Sequence, residues 1–265
     1  MYKLKILTAI VLTLTGLSLG SQLIAGPQNP APVPAPAPII PVPAPVPAPV
    51  PAALPFELPA LVDGGLNLRQ WNIRGALAVA LGNHLRDHPI ADLTYLDLTN
   101  NNMGAAGIQA IAPHLPASII EIYLYANNIS DAGVQALAPH LPANLTKLYL
   151  GMNDIGVAGI VALAPNLPAS LTILNLGRNN IGDAGILVLA PHLPANLTEL
   201  YLYQNNISDA GIQALVPHLP ANLTELWLSE DDIGDAGAQA LIEAGFANQG
   251  NNRWVRPAPH APAAH

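Results

Sequence analysis

The sequence predicts an α/β solenoid, a stack of short strand-turn-helix units sharing one elongated core. Three observations predict it. Six units of 26 residues follow one another without insertion, starting at Leu93, Ile119, Leu145, Leu171, Leu197 and Leu223. Each opens on L-x-x-L-x-L-x-x-N-x-I or a near variant, whose alternation suits a short strand with one buried face. The remainder of each unit is rich in Ala, Gly, Leu and Ile, and the first five units close on paired prolines such as Pro139 and Pro142.

Upstream of the repeats, residues 1–20 read as a signal peptide. Lys3 and Lys5 precede an apolar run from Ile6 to Leu19, and Ser18 and Gly20 are placed for cleavage before Ser21. Left uncleaved, the apolar stretch to Ala25 would serve as a membrane anchor. Residues 21–59 are a linker in which Pro alternates with Ala or Val; 14 of the chain's 28 prolines fall between Pro27 and Pro59, leaving a smaller folded part. Proline fixes φ and withdraws a backbone donor, so a solvated, disordered polyproline spacer is expected, reaching on the order of 100 Å.

Residues 60–92 form an N-terminal capping unit. Leu66, Leu68 and Ile73 keep the apolar positions of a repeat, Trp71 stands where the Asn belongs and is expected to be buried, and a longer helical part runs from Gly75 to His88. Residues 93–247 hold the six repeats. In the second, Ile119, Ile122 and Leu124 form the strand, Asn127 turns the chain and Ile129 re-enters the core; Ser130 or Asp131 caps a helix whose apolar face is Val134 and Leu137, with Leu141 as a further candidate. Pro139 should push Ala138 out of the helical region, limiting the helix to about two turns. Residues 248–265, with Pro257, Pro259 and Pro262, read as a disordered tail.

These units resemble the ribonuclease-inhibitor type of leucine-rich repeat, with Ile181 to Gly185 and Ile233 to Gly237 strengthening the match. Stretches such as Ala210-Gly211-Ile212-Gln213-Ala214-Leu215 are also similar to the GALA-type repeats of bacterial effectors. The resemblance implies a right-handed, curved solenoid with parallel strands on the concave face, short helices on the convex face, and a role in binding other proteins. Shorter units and the absence of cysteine set the chain apart from the ribonuclease-inhibitor pattern, and no F-box-like segment accompanies the GALA likeness.

Reading down the units separates scaffold from candidate site. Asn101, Asn127, Asn153, Asn179 and Asn205 form one column, suited to satisfying backbone groups at each turn. His114, His140, His192 and His218 form another, but they fall in the return loops, too widely spaced for two rings to share a metal at about 2.1 Å. Glu230, Asp231, Asp232 and Asp235 cluster on the last rung without the regular ligand spacing of a calcium loop. No metal or cofactor is expected.

The positions that vary lie on the strands. Six of the seven tyrosines are there. One outward column reads Asp97, Tyr123, Tyr149, Asn175, Tyr201 and Trp227, and the column two positions on reads Thr99, Tyr125, Gly151, Gly177, Tyr203 and Ser229. Parallel strands about 4.8 Å apart should stack these rings into a band broken at Asn175. Beside it stand Glu121, Glu199, Glu225 and Glu230, opposed by Lys147 and Arg178. Tyr123, Tyr125, Tyr149, Tyr201, Tyr203, Trp227, Glu199 and Glu225 are therefore the candidate partner-binding residues, for a polypeptide with a basic, partly apolar surface.

Composition narrows the function classes. With a net charge of −8 and 10% charged residues, no basic stripe is available for nucleic acid. The absence of cysteine removes disulfides, thiolate metal sites and a cysteine nucleophile. H-E-x-x-H, G-x-S-x-G and P-loop motifs are absent, so an enzyme is not expected. The expectation is a monomeric, exported interaction module at a bacterial surface or in the cell envelope, acting on host proteins, with membrane contact only through the N-terminal segment. A GTPase-activating or ubiquitin-adaptor type of regulator, by likeness to other leucine-rich repeats, and a structural envelope spacer are the alternatives.

Overall fold

The computed structural model describes residues 57–229, 233–251 and 253–257. The expected signal segment, the linker up to residue 56, Glu230 to Asp232 and the last residues of the tail lie outside them. Strands β1 (Gly65–Asn67), β2 (Tyr95–Asp97), β3 (Glu121–Tyr123), β4 (Lys147–Tyr149), β5 (Ile173–Asn175), β6 (Glu199–Tyr201) and β7 (Glu225–Trp227) are all parallel neighbours in one sheet. Helices α1 (Ala76–Asp87), α2 (Gly104–Ile111), α3 (Ser130–Leu137), α4 (Val157–Leu163), α5 (Gly182–Leu189) and α6 (Asp209–Leu215) connect them, and α7 (Asp235–Glu243) follows the last. Among the described residues, no helix is long and apolar enough to cross a membrane.

Pairing register puts Leu66, Leu96, Ile122, Leu148, Leu174, Leu200 and Leu226 side by side. All are at most 1% exposed, and the apolar faces of the helices close over them. Pro139 does not expel Ala138 from the helix, as its sequence position suggests. Ala138 keeps helical angles (φ −53°, ψ −44°), and Pro139 sits early in a 3₁₀ turn, Ala138–His140, where the missing donor is not needed. The same turn closes α2, α4, α5 and α6.

Two side-chain ladders tie each rung to the next. The Asn127 amide donates to the Leu98 carbonyl (2.8 Å) on the previous rung and to Leu124 (3.1 Å) on its own, while its oxygen accepts the Asn101 N–H (3.1 Å). The pattern starts at the cap, where Ile73 N–H donates to Asn101, and reaches Asn205, whose oxygen accepts Ile181 N–H. At the other end of the strands, the hydroxyls of Thr146, Thr172, Thr198 and Thr224 each donate to the preceding rung's carbonyl at 3.0–3.2 Å.

Helix capping also runs between rungs. Neither Ser130 nor Asp131 caps its own helix; instead the Asp131 carboxylate accepts Gly156 N–H (2.6 Å) at the start of α4. Asp183 accepts Ser208 N–H and Asp209 accepts Gly234 N–H in the same way. Gly156, Ser208 and Gly234 are all extended. Ala105 and Val157 occupy the Asp position on the other rungs, and the residue they would cap adopts positive φ: Ser130 (58°) and Gly182 (58°). Their N–H groups turn to the carbonyls of Asn153 and Asn205. The carboxylate on one rung thus decides the backbone conformation of the next.

The C-terminal tail differs from expectation. Two strands, β8 (Ala247–Asn248) and β9 (Arg253–Val255), pair antiparallel, and β9 pairs with β7. Trp254 lies opposite Leu226 and is 3% exposed. Arg256 lies over the Phe246 ring (4.6 Å) and donates to the carbonyls of Pro220 (2.5 Å) and Leu223 (3.1 Å). The physical reason is the open end of the solenoid: without a seventh rung, the edge of β7 and the apolar layer beside it need a cover. At the N-terminal end Trp71, expected to be buried, is 39% exposed, and Ile73 carries the apolar contact into the core.

Trp254→Ala should lower stability by about 3–5 kcal/mol in urea denaturation, as for other buried aromatics. Ala105→Asp should raise the unfolding free energy measured in the same way by about 1 kcal/mol, by letting Ser130 leave its left-handed conformation; Asp183→Ala should lower it by a similar amount.

Candidate functional site

The strand face is built by alternation. With each central Leu or Ile in the core, the flanking residues of the strand point the other way, so β3, β4, β6 and β7 each contribute a pair of partly exposed side chains to the surface. Tyr123 and Tyr149 stack with centroids 4.4 Å apart and planes 10° apart, and Tyr95 leans on Tyr123 at 5.0 Å. On the other side of Asn175, Tyr201 stacks on Trp227 at 5.4 Å. The face therefore carries two aromatic stacks separated by one rung.

Tyr125 and Tyr203 do something different. Each lies against a glycine of the neighbouring rung: a Cβ on Gly151 would come within 2.8 Å of the Tyr125 ring, and one on Gly177 within 2.5 Å of Tyr203. The two rings approach from opposite directions, and the Tyr203 hydroxyl hydrogen-bonds with Tyr125 and with Asn175. Asn175 also accepts Gly177 N–H (3.0 Å) and is 8% exposed. Gly151 and Gly177, blank positions in the sequence, are what make room for this bridge.

Each carboxylate is held by the aromatic two residues along its own strand. Tyr123 Oη donates to Glu121 (2.8 Å), Tyr201 Oη to Glu199 (2.6 Å) and Trp227 Nε1 to Glu225 (3.3 Å). Lys147 pairs with Glu121 at 2.8 Å. Arg253, in the tail read from sequence as disordered, pairs with Glu225 at 2.7 Å and lies over the Trp227 ring (5.9 Å). Its signal was the alternation Arg253-Trp254-Val255 after a Gly-Asn-Asn turn. The face is thus less acidic than its Glu column suggests, and among the described residues Glu199 is in no ion pair.

Burial pushes the hydroxyls of Tyr123 and Tyr201 up, reinforced by their bonds to Glu121 and Glu199. Tyr95 is raised to about 12 by burial and by Asp97. The hydrogen bond from Arg253 holds Glu225 below the usual carboxylate range. Next to Tyr95, an open notch of about 310 Å³ is lined by Val62, Thr94, Ile120 and Glu121, among others. The His column lies on the 3₁₀ turns, away from the strand face, and among the described residues no group of three His, Cys, Asp or Glu could hold a metal ion.

A family model described as a leucine-rich repeat matches residues 91–112, 142–164, 168–190 and 194–216. These matches, the parallel sheet and the alternating short helices together define a leucine-rich repeat fold. Among solved structures the chain is similar to the leucine-rich repeat-containing protein LegL7 from Legionella pneumophila: 26% identity, 62% of this chain and 55% of that one, TM-score 0.45. It is also similar to the internalin InlF from Listeria monocytogenes: 23% identity, 64% of this chain and 51% of that one, TM-score 0.43. The chain spans about half the length of each. No curated protein matches the sequence.

The raised tyrosines give a pH signature. A hydroxyl kept neutral by burial favours the folded state fully below the free-tyrosine value of about 10, and this advantage is lost as pH rises through the higher folded values. The denaturation midpoint should therefore fall above about pH 10, and spectrophotometric titration should show strand-face tyrosines ionising later than free tyrosine.

Proposed function

We propose that this chain is a non-catalytic module that binds a polypeptide partner on its strand face. One observation carries it: six of the seven tyrosines sit on that face, and three of them, with Trp227, stack there while a fourth, Tyr95, leans on the stack, all remaining partly exposed. Core packing needs none of these rings, since the Leu and Ile positions fill the interior. Tyrosine and tryptophan supply large amphipathic area at little entropic cost and dominate interface hot spots. Glu199 gives the face a carboxylate for a basic, partly apolar partner.

Export fits the same picture. Lys3, Lys5 and the apolar run to Leu19 support a secreted or envelope-held protein, with the proline-rich stretch as a spacer between the attachment point and the repeats. A partner outside the producing cell, including a host protein, would meet the strand face there.

Full-length protein bearing Tyr201→Ser and Trp227→Ser should keep its circular dichroism spectrum and lose the partner that the wild type retains in affinity capture from host extracts. Equal capture by both proteins would remove the strand face from consideration, and repeated failure of the wild type to capture anything would favour a spacer.

A further inference from the structure

The aromatic column lacks one ring, and the gap has the dimensions and chemistry of a slot. Tyr149 uses one ring face on Tyr123, and Tyr201 uses one on Trp227, so each turns its other face towards the intervening rung. That rung presents Asn175 and Ile173 instead of an aromatic and a charge. Two strand spacings separate Tyr149 from Tyr201, about 9.6 Å, which is room for one flat group in stacking contact on both sides. At one end the Tyr125 and Tyr203 bridge closes the slot over Gly151 and Gly177.

The open end carries opposite charges on its two walls, but they are not equivalent. Lys147 is turned away to Glu121 at 2.8 Å. Glu199 is bonded by Tyr201 Oη and, among the described residues, is in no ion pair, with Lys147 and Arg253 acting on it only at longer range. Its charge acts on the Tyr149 hydroxyl across the gap. The slot therefore offers two aromatic faces with Asn175 at its floor, and at the mouth an apolar side chain, Ile173, beside the Glu199 carboxylate.

We infer that this slot takes an arginine side chain of the polypeptide partner, its guanidinium between Tyr149 and Tyr201 and paired with Glu199, its methylenes on Ile173. A guanidinium is planar, stacks on aromatic rings and forks onto a carboxylate, which a lysine ammonium or a neutral ring does not do together. The inference rests on the strand face being the binding surface and specifies what that surface selects.

The test is selection of a random heptapeptide display library on the full chain, followed by affinity measurement of the retained peptides. Arginine should be enriched, and changing it to lysine should weaken binding by at least about tenfold. Asn175→Tyr, which fills the gap with the residue the neighbouring rungs carry there, should abolish binding. Glu199→Gln, which keeps an acceptor for Tyr201, should weaken binding by about tenfold; circular dichroism confirms folding of both variants. Retained peptides without arginine enrichment, or equal binding to Asn175→Tyr, would overturn the slot. If those peptides still fail on the Tyr201→Ser, Trp227→Ser variant, the strand face stands as the binding surface. If no peptide is retained, or if an oligosaccharide panel binds instead in an Asn175→Tyr-sensitive manner, both the arginine assignment and the polypeptide partner fail.

Discussion

A buried column of asparagine side chains is the constraint on which the rest of this structure depends. From Asn101 to Asn205 each amide satisfies backbone carbonyls on two rungs at once, at no more than 5% exposure. A buried amide left unpaired costs about 1–3 kcal/mol, so a unit that shifted by one residue would lose its own bonds and strand those of its neighbours. The 26-residue spacing is therefore a registry requirement as much as a consequence of duplication. It fixes the central leucines opposite one another, and with them the outward columns on either side.

That registry converts a sequence column into a physical stack. Tyr123 and Tyr149 are 26 residues apart in the chain, yet their rings lie 4.4 Å apart because the strands beneath them are hydrogen-bonded in register. The same geometry brings each carboxylate under the hydroxyl or indole N–H of its own strand and sets Lys147 against Glu121 across rungs. Such a face is modular: a substitution on one rung changes one rib of the surface and leaves the backbone beneath it alone.

Most of the scaffold was legible in the sequence because its determinants are local and repeated. The Leu, Ile and Asn positions predict the strands, the turns and the buried core, and the Tyr columns predict where rings gather. What escaped depends on contacts between rungs. Asp131 looks like a cap for its own helix when the chain is read in one dimension, whereas it serves Gly156 some 25 residues later. Gly151 and Gly177 look like gaps, and only the arrival of Tyr125 and Tyr203 from flanking rungs gives them a purpose. The tail was obscured by composition: the prolines from Pro257 onwards suggested disorder, while Trp254 and Arg256 a few residues earlier are bound to the last rung by burial and by hydrogen bonds.

The single missing ring at Asn175 has a consequence for how such a protein changes over time. A whole unit can be added or removed without breaking the asparagine column, whereas a partial insertion would break it. Copying the rung that carries Asn175 would widen the gap by one strand spacing, and deleting it would close Tyr149 onto Tyr201. Binding preference would then move in discrete steps set by repeat number, so that one duplication could exchange one class of partner for another without a single point mutation on the face.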